Sequence, residues 1–369
     1  MHLRILAVDV GTGTQDILVF EAGTTIENAI QLIMPSPTML IAEQVRQATS
    51  DRMDLVLTGV TMGGGPGHWA VEAHLRQGLK VYATPDAART FDDDLERVQA
   101  MGIEIVDRPP ARASGARHLE FRDFYLGAVV DALRAFGVPT DFSAVCVAVF
   151  DHGAAPPGYS DRRFRFDYLK AQVERGARLE HFGFLASEIP ARMTRMQAVA
   201  RTWTGDGHLF VMDTAPAAVL GCLEDPAVRA APNAVLVNIG NFHTIAFRLD
   251  QGRIGGLFEH HTGELSCRKL EHYLVQFAEG TIHNETVFED MGHGALELQA
   301  PSRPPELLAV TGPRRTLVEG SRLSPYFAVP HGDMMLAGCF GLLRGLAAQV
   351  AEYAPAIEKE LGPPAFVAA

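Results

Sequence analysis

LRILAVDVGTGTQDILVF, residues 3–20, reads as two strands joined by a tight turn. The apolar run 3–10 carries one acid, Asp9, and a second acid, Asp16, opens the run that ends at Phe20. Runs of this length bounded by glycine form the pattern of a hairpin. Gly11 and Gly13 let the backbone take positive φ and approach a ligand closely. Thr12 and Thr14 set hydroxyls beside exposed backbone N–H groups, which suits an anionic phosphate. A carboxylate at the end of the first strand, Asp9, suits a divalent metal held through water, as magnesium prefers. An ordinary hairpin with a polar turn has the same local pattern, so the neighbouring segments decide.

Outward from this hairpin, residues 26–34 read as a third strand. Ser36 and Pro37 then open a helix that runs to about Thr49, with a hydroxyl at the N-cap and proline at the first helical position. Residues 54–60 form a strand that ends in a glycine loop, Gly63-Gly64-Gly65-Pro66-Gly67, ahead of an amphipathic stretch at 68–77. A strand, a glycine loop and a helix start can bind an anion through free N–H groups. No GK[ST] follows, so this is not a Walker loop, and a mobile loop is the plain alternative. A further strand–helix–strand unit spans 80–106. Its acid run Asp92-Asp93-Asp94 reads as the solvated first turn of a helix rather than a metal site. Residues 117–136 read as one long helix, and 142–150 as a strongly apolar strand that ends in Asp151-His152-Gly153. Loops just beyond the carboxyl ends of sheet strands commonly carry catalytic groups. A carboxylate beside an imidazole suits a base and its orienter, while an Asx-type turn with an exposed histidine is the alternative.

The boundary between two domains falls at 204–207, Thr-Gly-Asp-Gly. Beyond it comes a strand at 209–212, then Asp213-Thr214-Ala215-Pro216-Ala217-Ala218 opening a helix. The buried strand 234–239 ends in Asn238-Ile239-Gly240-Asn241-Phe242-His243-Thr244. Two more strands, 245–249 and 253–258, come after it. The order strand, glycine turn, strand, turn, strand repeats the N-terminus, and such a long-range duplication indicates two similar domains. Residues 307–310 form another strand, ending in Thr311-Gly312-Pro313-Arg314-Arg315. Residues 332–350 read as a buried helix, apolar nearly all round.

Composition narrows the classes. With 47% hydrophobic and 21% charged residues the chain is an ordinary globular one, and 369 residues suggest more than one core. A formal charge of -12 argues against nucleic acid as a partner. No apolar run is long enough to span a bilayer, so no membrane association is expected and a cytoplasmic location is. Cys146, Cys222, Cys267 and Cys339 lie far apart in sequence with no metal-binding spacing, and read as reduced structural thiols.

Taken in order, four motifs give the chain a resemblance to the actin-like ATPase superfamily of actin, sugar and acetate kinases and heat-shock chaperones. DVGTGTQD at 9–16 is similar to its first phosphate loop, and DTAPAAVLG at 213–221 to the helix that connects its two domains. NIGNFHT at 238–244 sits where its second phosphate loop would lie, and VTGPRR at 310–315 looks like its adenosine-contacting motif. The resemblance implies an α/β fold of two duplicated ribonuclease H-like domains with an interdomain nucleotide cleft. The first domain would be 1–204, with a strand–helix insertion around 61–116, and the second 205–369, ending in a buried helix. It implies ATP and Mg2+ as cofactors, with Asp9 organising the metal. Gly11, Thr12, Gly13 and Thr14 would hold the phosphates from one side, and Gly240, Asn241, His243 and Thr244 from the other. Gly312, Pro313 and Arg314 would lie near adenosine. Asn238 stands where the superfamily commonly has an acid, which removes a charge that helps hold metal or water.

More narrowly, the chain resembles a family whose members carry the label of a pyruvate formate-lyase activating enzyme. Such enzymes bind a cluster through CxxxCxxC, which the cysteine spacing here does not supply, so the label is set aside as an activity. The expectation is therefore an ATP-dependent phosphotransferase or ATPase acting on a small molecule, with Asp151 and His152 as catalytic candidates. Phosphoryl transfer asks mainly for positioning and charge neutralisation. The alternative is a nucleotide-gated, non-catalytic module that activates a partner enzyme. A histidine metal site from His152, His243, His260 and His261 is the less favoured reading, because adjacent residues on a strand point to opposite faces.

Overall fold

Every residue of β1 (Arg4–Val10) is buried, so this strand lies at the centre of a sheet rather than at its edge. A computed structural model describes residues 3–110 and 113–366. β1 pairs antiparallel with β2 (Thr14–Glu21), which pairs antiparallel with β3 (Ile30–Pro35). The turn between β1 and β2 is closed by Gly11 N donating to Thr14 O at 2.9 Å. The chain then leaves this sheet. Ser36 Oγ accepts from Met39 N and starts the helix Pro37–Ser50, as the Ser-Pro pair predicts.

The next four strands make a sheet of their own. β4 (Leu55–Gly59), β5 (Val81–Ala83), β6 (Ile103–Ile105) and β7 (Arg117–Phe121) are all parallel, in the order β6-β5-β4-β7. A separate apolar cluster holds it together, with Ile41 and Val45 of the 37–50 helix packed on Leu55, Leu57, Val81 and Phe121. The inserted unit thus reaches beyond 61–116 on both sides. One element differs in kind: 117–121 is a strand, and the helix expected there is only Leu126–Ala135. Leu119 and Phe121 are buried while Arg117, His118 and Glu120 are exposed, a period of two that serves a half-covered strand.

The chain returns with β8 (Ala144–Val149), fully buried and parallel to β1. β9 (Gly183–Leu185) and β10 (His208–Asp213) complete the order β3-β2-β1-β8-β10-β9. The second half builds another six-stranded sheet. β11 (Asn233–Ile239), β12 (His243–Asp250) and β13 (Arg253–His261) form an antiparallel meander. β14 (Gly294–Glu297) extends it beside β13, while β15 (Leu307–Thr311) and β16 (Tyr326–Phe327) lie parallel on the far side of β11. The order β14-β13-β12-β11-β15-β16 places three meandering strands and two parallel ones as the first sheet does. Even the turn matches: Gly240 N donates to His243 O at 2.9 Å, as Gly11 N does to Thr14 O.

Two buried helices, Thr214–Cys222 and Ala337–Gln349, cross each other, the second helix packing on the first sheet and the first helix touching strands of both sheets. Asp213 caps the first by accepting from Ala215 N. The crossing is tight enough to exclude side chains. A Cβ at Gly221 would run into the Ala337 carbonyl, and one at Gly341 into the Ala217 carbonyl. Among the described residues no helix is long and apolar enough to cross a membrane.

Candidate functional site

The ends of β1, β8, β11 and β15 open into one cavity of about 540 Å³, walled by both six-stranded sheets and by the inserted unit. That volume is in the range of small-ligand and cofactor sites. Asp9, Gly11, Thr12 and Thr14 line it from the first sheet, and Asn238, Gly240, Asn241 and His243 from the second. Asp151, His152, Gly312 and Pro313 also reach its wall. Three expected residues do not. Gly13 lies beside Asn241, whose Nδ2 would be 3.2 Å from a Cβ built there. Thr244 is buried, its Oγ1 2.9 Å from Thr262 Oγ1. Arg314 is exposed and lies off the wall.

Asp9 and Asp16 stand directly opposite each other across β1 and β2, and both are buried. Burial raises Asp9 to about 7, opposed by the hydrogen bond from Thr214 Oγ1 at 2.5 Å. Burial, then repulsion from Asp9, raises Asp16 to about 8. Asp16 Oδ1 has no hydrogen-bond partner among the described residues. Two acids crowded together with an unused acceptor form a donor set that fits a hard divalent cation such as magnesium. The glycine turns on either side leave room for a phosphate chain, so the residues present also fit a nucleotide. At Gly312, where φ is +97°, a side chain would press on Asn238 Oδ1 and close the approach.

Asp151 lies at the end of β8 with both oxygens engaged. Oδ1 accepts from Gly153 N at 2.8 Å and Oδ2 from Met196 N at 2.9 Å, inside the first turn of the helix Thr194–Arg201. The first contact is the Asx-type turn. Burial nevertheless raises its pKa, against the pull of the two N–H donors and Arg195. Behind it, Arg165 is fully buried and joins the sheets. It pairs with Asp213 of β10 and with Glu259 of β13, at 3.1 Å to each Glu259 oxygen, and donates to the Asp151 carbonyl at 3.1 Å.

The histidines converge more closely than strand alternation alone suggests. His260 does point away, its Nε2 3.3 Å from Asp290 Oδ2, while His261 pairs across strands with His243, their ring centroids 5.1 Å apart. The third close partner is His293, which no sequence motif marks. His152, His243 and His293 place ring nitrogens within 4.8 Å of one another. Burial, then neighbouring histidines, hold His152 and His243 well below their usual pKa, and burial lowers His293 to about 2.

Other wall residues carried weak signals or none. Gly63, Gly64 and Gly65 belong to the glycine loop, and Gly63 N donates to Asp123 Oδ1 at 2.9 Å. Asp123 in turn pairs with Arg195 at 2.8 Å. Asp92 and Asp93 line the cavity instead of a solvated helix turn, because that helix starts at Leu95 with Asp94 as its cap. Burial, then repulsion from Asp161 and Asp92, raises Asp93 to about 6. Thr214 and Gly338, which touch or crowd Asp9, come from segments more than two hundred residues away in the chain.

The family described as "Putative pyruvate format-lyase activating enzyme (DUF1786)" matches residues 62–317. Comparison with curated proteins gives no match. Among solved structures the chain is similar to a ROK family transcriptional regulator, a homolog of the E. coli MLC protein, at 11% identity and a TM-score of 0.26. That alignment covers 68% of this chain and 38% of the regulator's length. An exopolyphosphatase-like protein aligns at 8% identity and a TM-score of 0.28, over 98% of this chain and 92% of its own. The Aquifex aeolicus member of the Ppx/GppA protein family aligns at 9% identity and a TM-score of 0.28, over 85% and 67%. The family match takes in more than half of the chain, and the chain belongs to that family.

Proposed function

We propose that this member of the family is an ATP-binding protein of the actin-like superfamily, acting as a phosphotransferase or ATPase on a small molecule. In this reading the two six-stranded sheets are duplicated ribonuclease H-like domains, and the cavity between their glycine turns is the nucleotide cleft. The observation that carries it is the pair of matching turns, Gly11–Thr14 and Gly240–His243, facing one cavity beside the Asp9–Asp16 pair. Gly11, Thr12 and Thr14 then contact the phosphates from one side, and Gly240, Asn241 and His243 from the other. Gly312 and Pro313 lie along adenosine.

Asp9 and Asp16 would hold magnesium, which when bound neutralises phosphate charge. Thr214 fixes the Asp9 carboxylate for that task. Asp151 is the candidate base or water-orienting group. Its two backbone hydrogen bonds use about half of a carboxylate's lone-pair directions and leave the rest for a water or an acceptor hydroxyl. His152, next in the chain and on the same wall, is its neighbour in that role.

Titration calorimetry with ATP and ADP, with and without magnesium, tests the reading. Wild type binds nucleotide in part through the metal, and Asp9→Asn removes mainly that part. Wild-type binding that ignores magnesium removes Asp9 from the site. A second reading, a nucleotide-gated module that activates a partner enzyme, draws on Asn238. An amide occupies the cavity wall where an acid would help hold metal or water. Slow turnover that Asp151→Asn leaves unchanged is the result that favours it.

A further inference from the structure

Three segments far apart in sequence bring His152, His243 and His293 together: the end of β8, the β11–β12 turn and the loop before β14. His152 and His243 line the cavity, and His293 is buried behind them. The Nε2 atoms of His152 and His293 are 3.4 Å apart. Two imidazoles bound to one zinc-type ion at about 2.0–2.1 Å in tetrahedral array bring their nitrogens about 3.4 Å apart. A hydrogen bond between the two rings accounts for that pair alone. It leaves His243 Nε2, a buried atom with no hydrogen-bond partner among the described residues.

We propose that His152, His243 and His293 form a seat for a divalent transition-metal ion of the zinc type, with its fourth position open to the cavity. Three protein ligands and one open position is the arrangement of sites that bind water or substrate on the metal. Imidazole suits zinc, iron, cobalt and nickel, whereas magnesium is served by oxygen ligands, so this seat is distinct from the one at Asp9 and Asp16. The charges around it are of both signs, with Arg162, Arg165 and Arg195 all close enough to act on the histidine rings. Arg165 is one guanidinium facing two buried carboxylates, Asp213 and Glu259. Glu259 Oε2 lies 3.9 Å from His293 Nδ1, on the side of the ring away from His152, too far for a hydrogen bond, and Nδ1 has no hydrogen-bond partner among the described residues. Phe150 stacks on His243 with ring centroids 3.9 Å apart and fixes its plane. His261, 4.6 Å from His293 between ring centroids, is instead tied to the Met291 carbonyl through Nδ1.

The test uses tag-free, full-length protein stripped of metal and titrated with Co2+. Wild type is expected to take up one Co2+ per chain, to give the visible bands of nitrogen-ligated cobalt, and to lose them to Zn2+ but not to saturating Mg2+. His243→Ala and His293→Ala should weaken cobalt binding roughly a hundredfold or more, given that even outer partners of such sites are worth 10–100-fold. His152→Gln, which keeps a polar side chain, should do the same, and His272→Ala, on an exposed helix position, should not. Wild type without cobalt bands overturns the proposal however the variants fold, as does cobalt binding that survives all three substitutions. ATP calorimetry on the same stripped protein with Mg2+ reads the nucleotide site separately, so failure of either site is visible on its own.

Discussion

Gly338→Ala is the sharpest single test of how Asp9 is held. Gly338 lies in the first turn of the 337–349 helix. A Cβ there would overlap the Asp9 carboxylate and stand 2.9 Å from Asp9 Cβ. Rotating the carboxylate relieves the first contact but not the second, which remains about 0.5 Å short of an ordinary contact. Alanine in a helix is favoured over glycine by about 1 kcal/mol. Overpacking a buried contact costs about 1–3 kcal/mol, so the balance is unfavourable or close to neutral, and the carboxylate moves either way. Disturbing the group that orients a metal ligand is worth about ten- to hundredfold in affinity. The expected result is metal-dependent ATP binding weakened on that scale, with metal-independent binding kept. Gly127→Ala, exposed and with nothing within 4 Å of its Cβ, serves as the control and should leave both unchanged. Calorimetry with and without magnesium reads the difference. Wild-type affinity in Gly338→Ala, with an unchanged melting temperature, refutes the packing of Gly338 on Asp9.

The same geometry sets further outcomes. Asp151→Asn should lower turnover about a hundred- to ten-thousand-fold with ATP affinity nearly unchanged. It should also cost about 1–3 kcal/mol of stability, because an amide cannot accept at both oxygens from Gly153 and Met196; turnover and chemical denaturation read the two effects. Asp16 titrates near 8 in the folded chain and near 3.8 unfolded, so the folded state holds a proton that the unfolded state has released. In EDTA, Asp16→Asn should therefore gain stability over wild type as pH rises from about 5 to 8, on the order of 1 kcal/mol per unit. Thermal melts measure this, and a pH-independent difference contradicts a buried charge there. Anaerobically purified protein should contain no acid-labile sulfide, since its cysteines offer no cluster spacing; stoichiometric sulfide would restore the activating-enzyme label as an activity.

Where one short segment sets the local structure, the chain is readable. The hairpin at 3–20, the turn at 238–244 and the helix opened by Asp213 are each set by glycine, burial run and cap within about ten residues. The inserted sheet is less so. β5 and β6 are three residues each, too short for periodicity to register, and their parallel pairing joins segments with helices between them. RHLEF at 117–121 contains helix-forming residue types, and only its docking beside β4 makes it a strand. The site residues divide in the same way. Asp9 and the glycine turns announce themselves. Gly338 and His293 acquire their roles from contacts made across more than a hundred residues, with nothing in their neighbours along the chain to mark them, while Thr214 stands in the 213–221 motif but bonds to Asp9 across 205 residues.

The most direct test of the central claim is a crystal structure of the protein with a non-hydrolysable ATP analogue and magnesium. The phosphates are expected between Gly11–Thr14 and Gly240–His243, magnesium at Asp9 and Asp16, and adenosine beside Gly312 and Pro313. Nucleotide bound elsewhere, or a cavity left empty at saturating analogue, contradicts the claim.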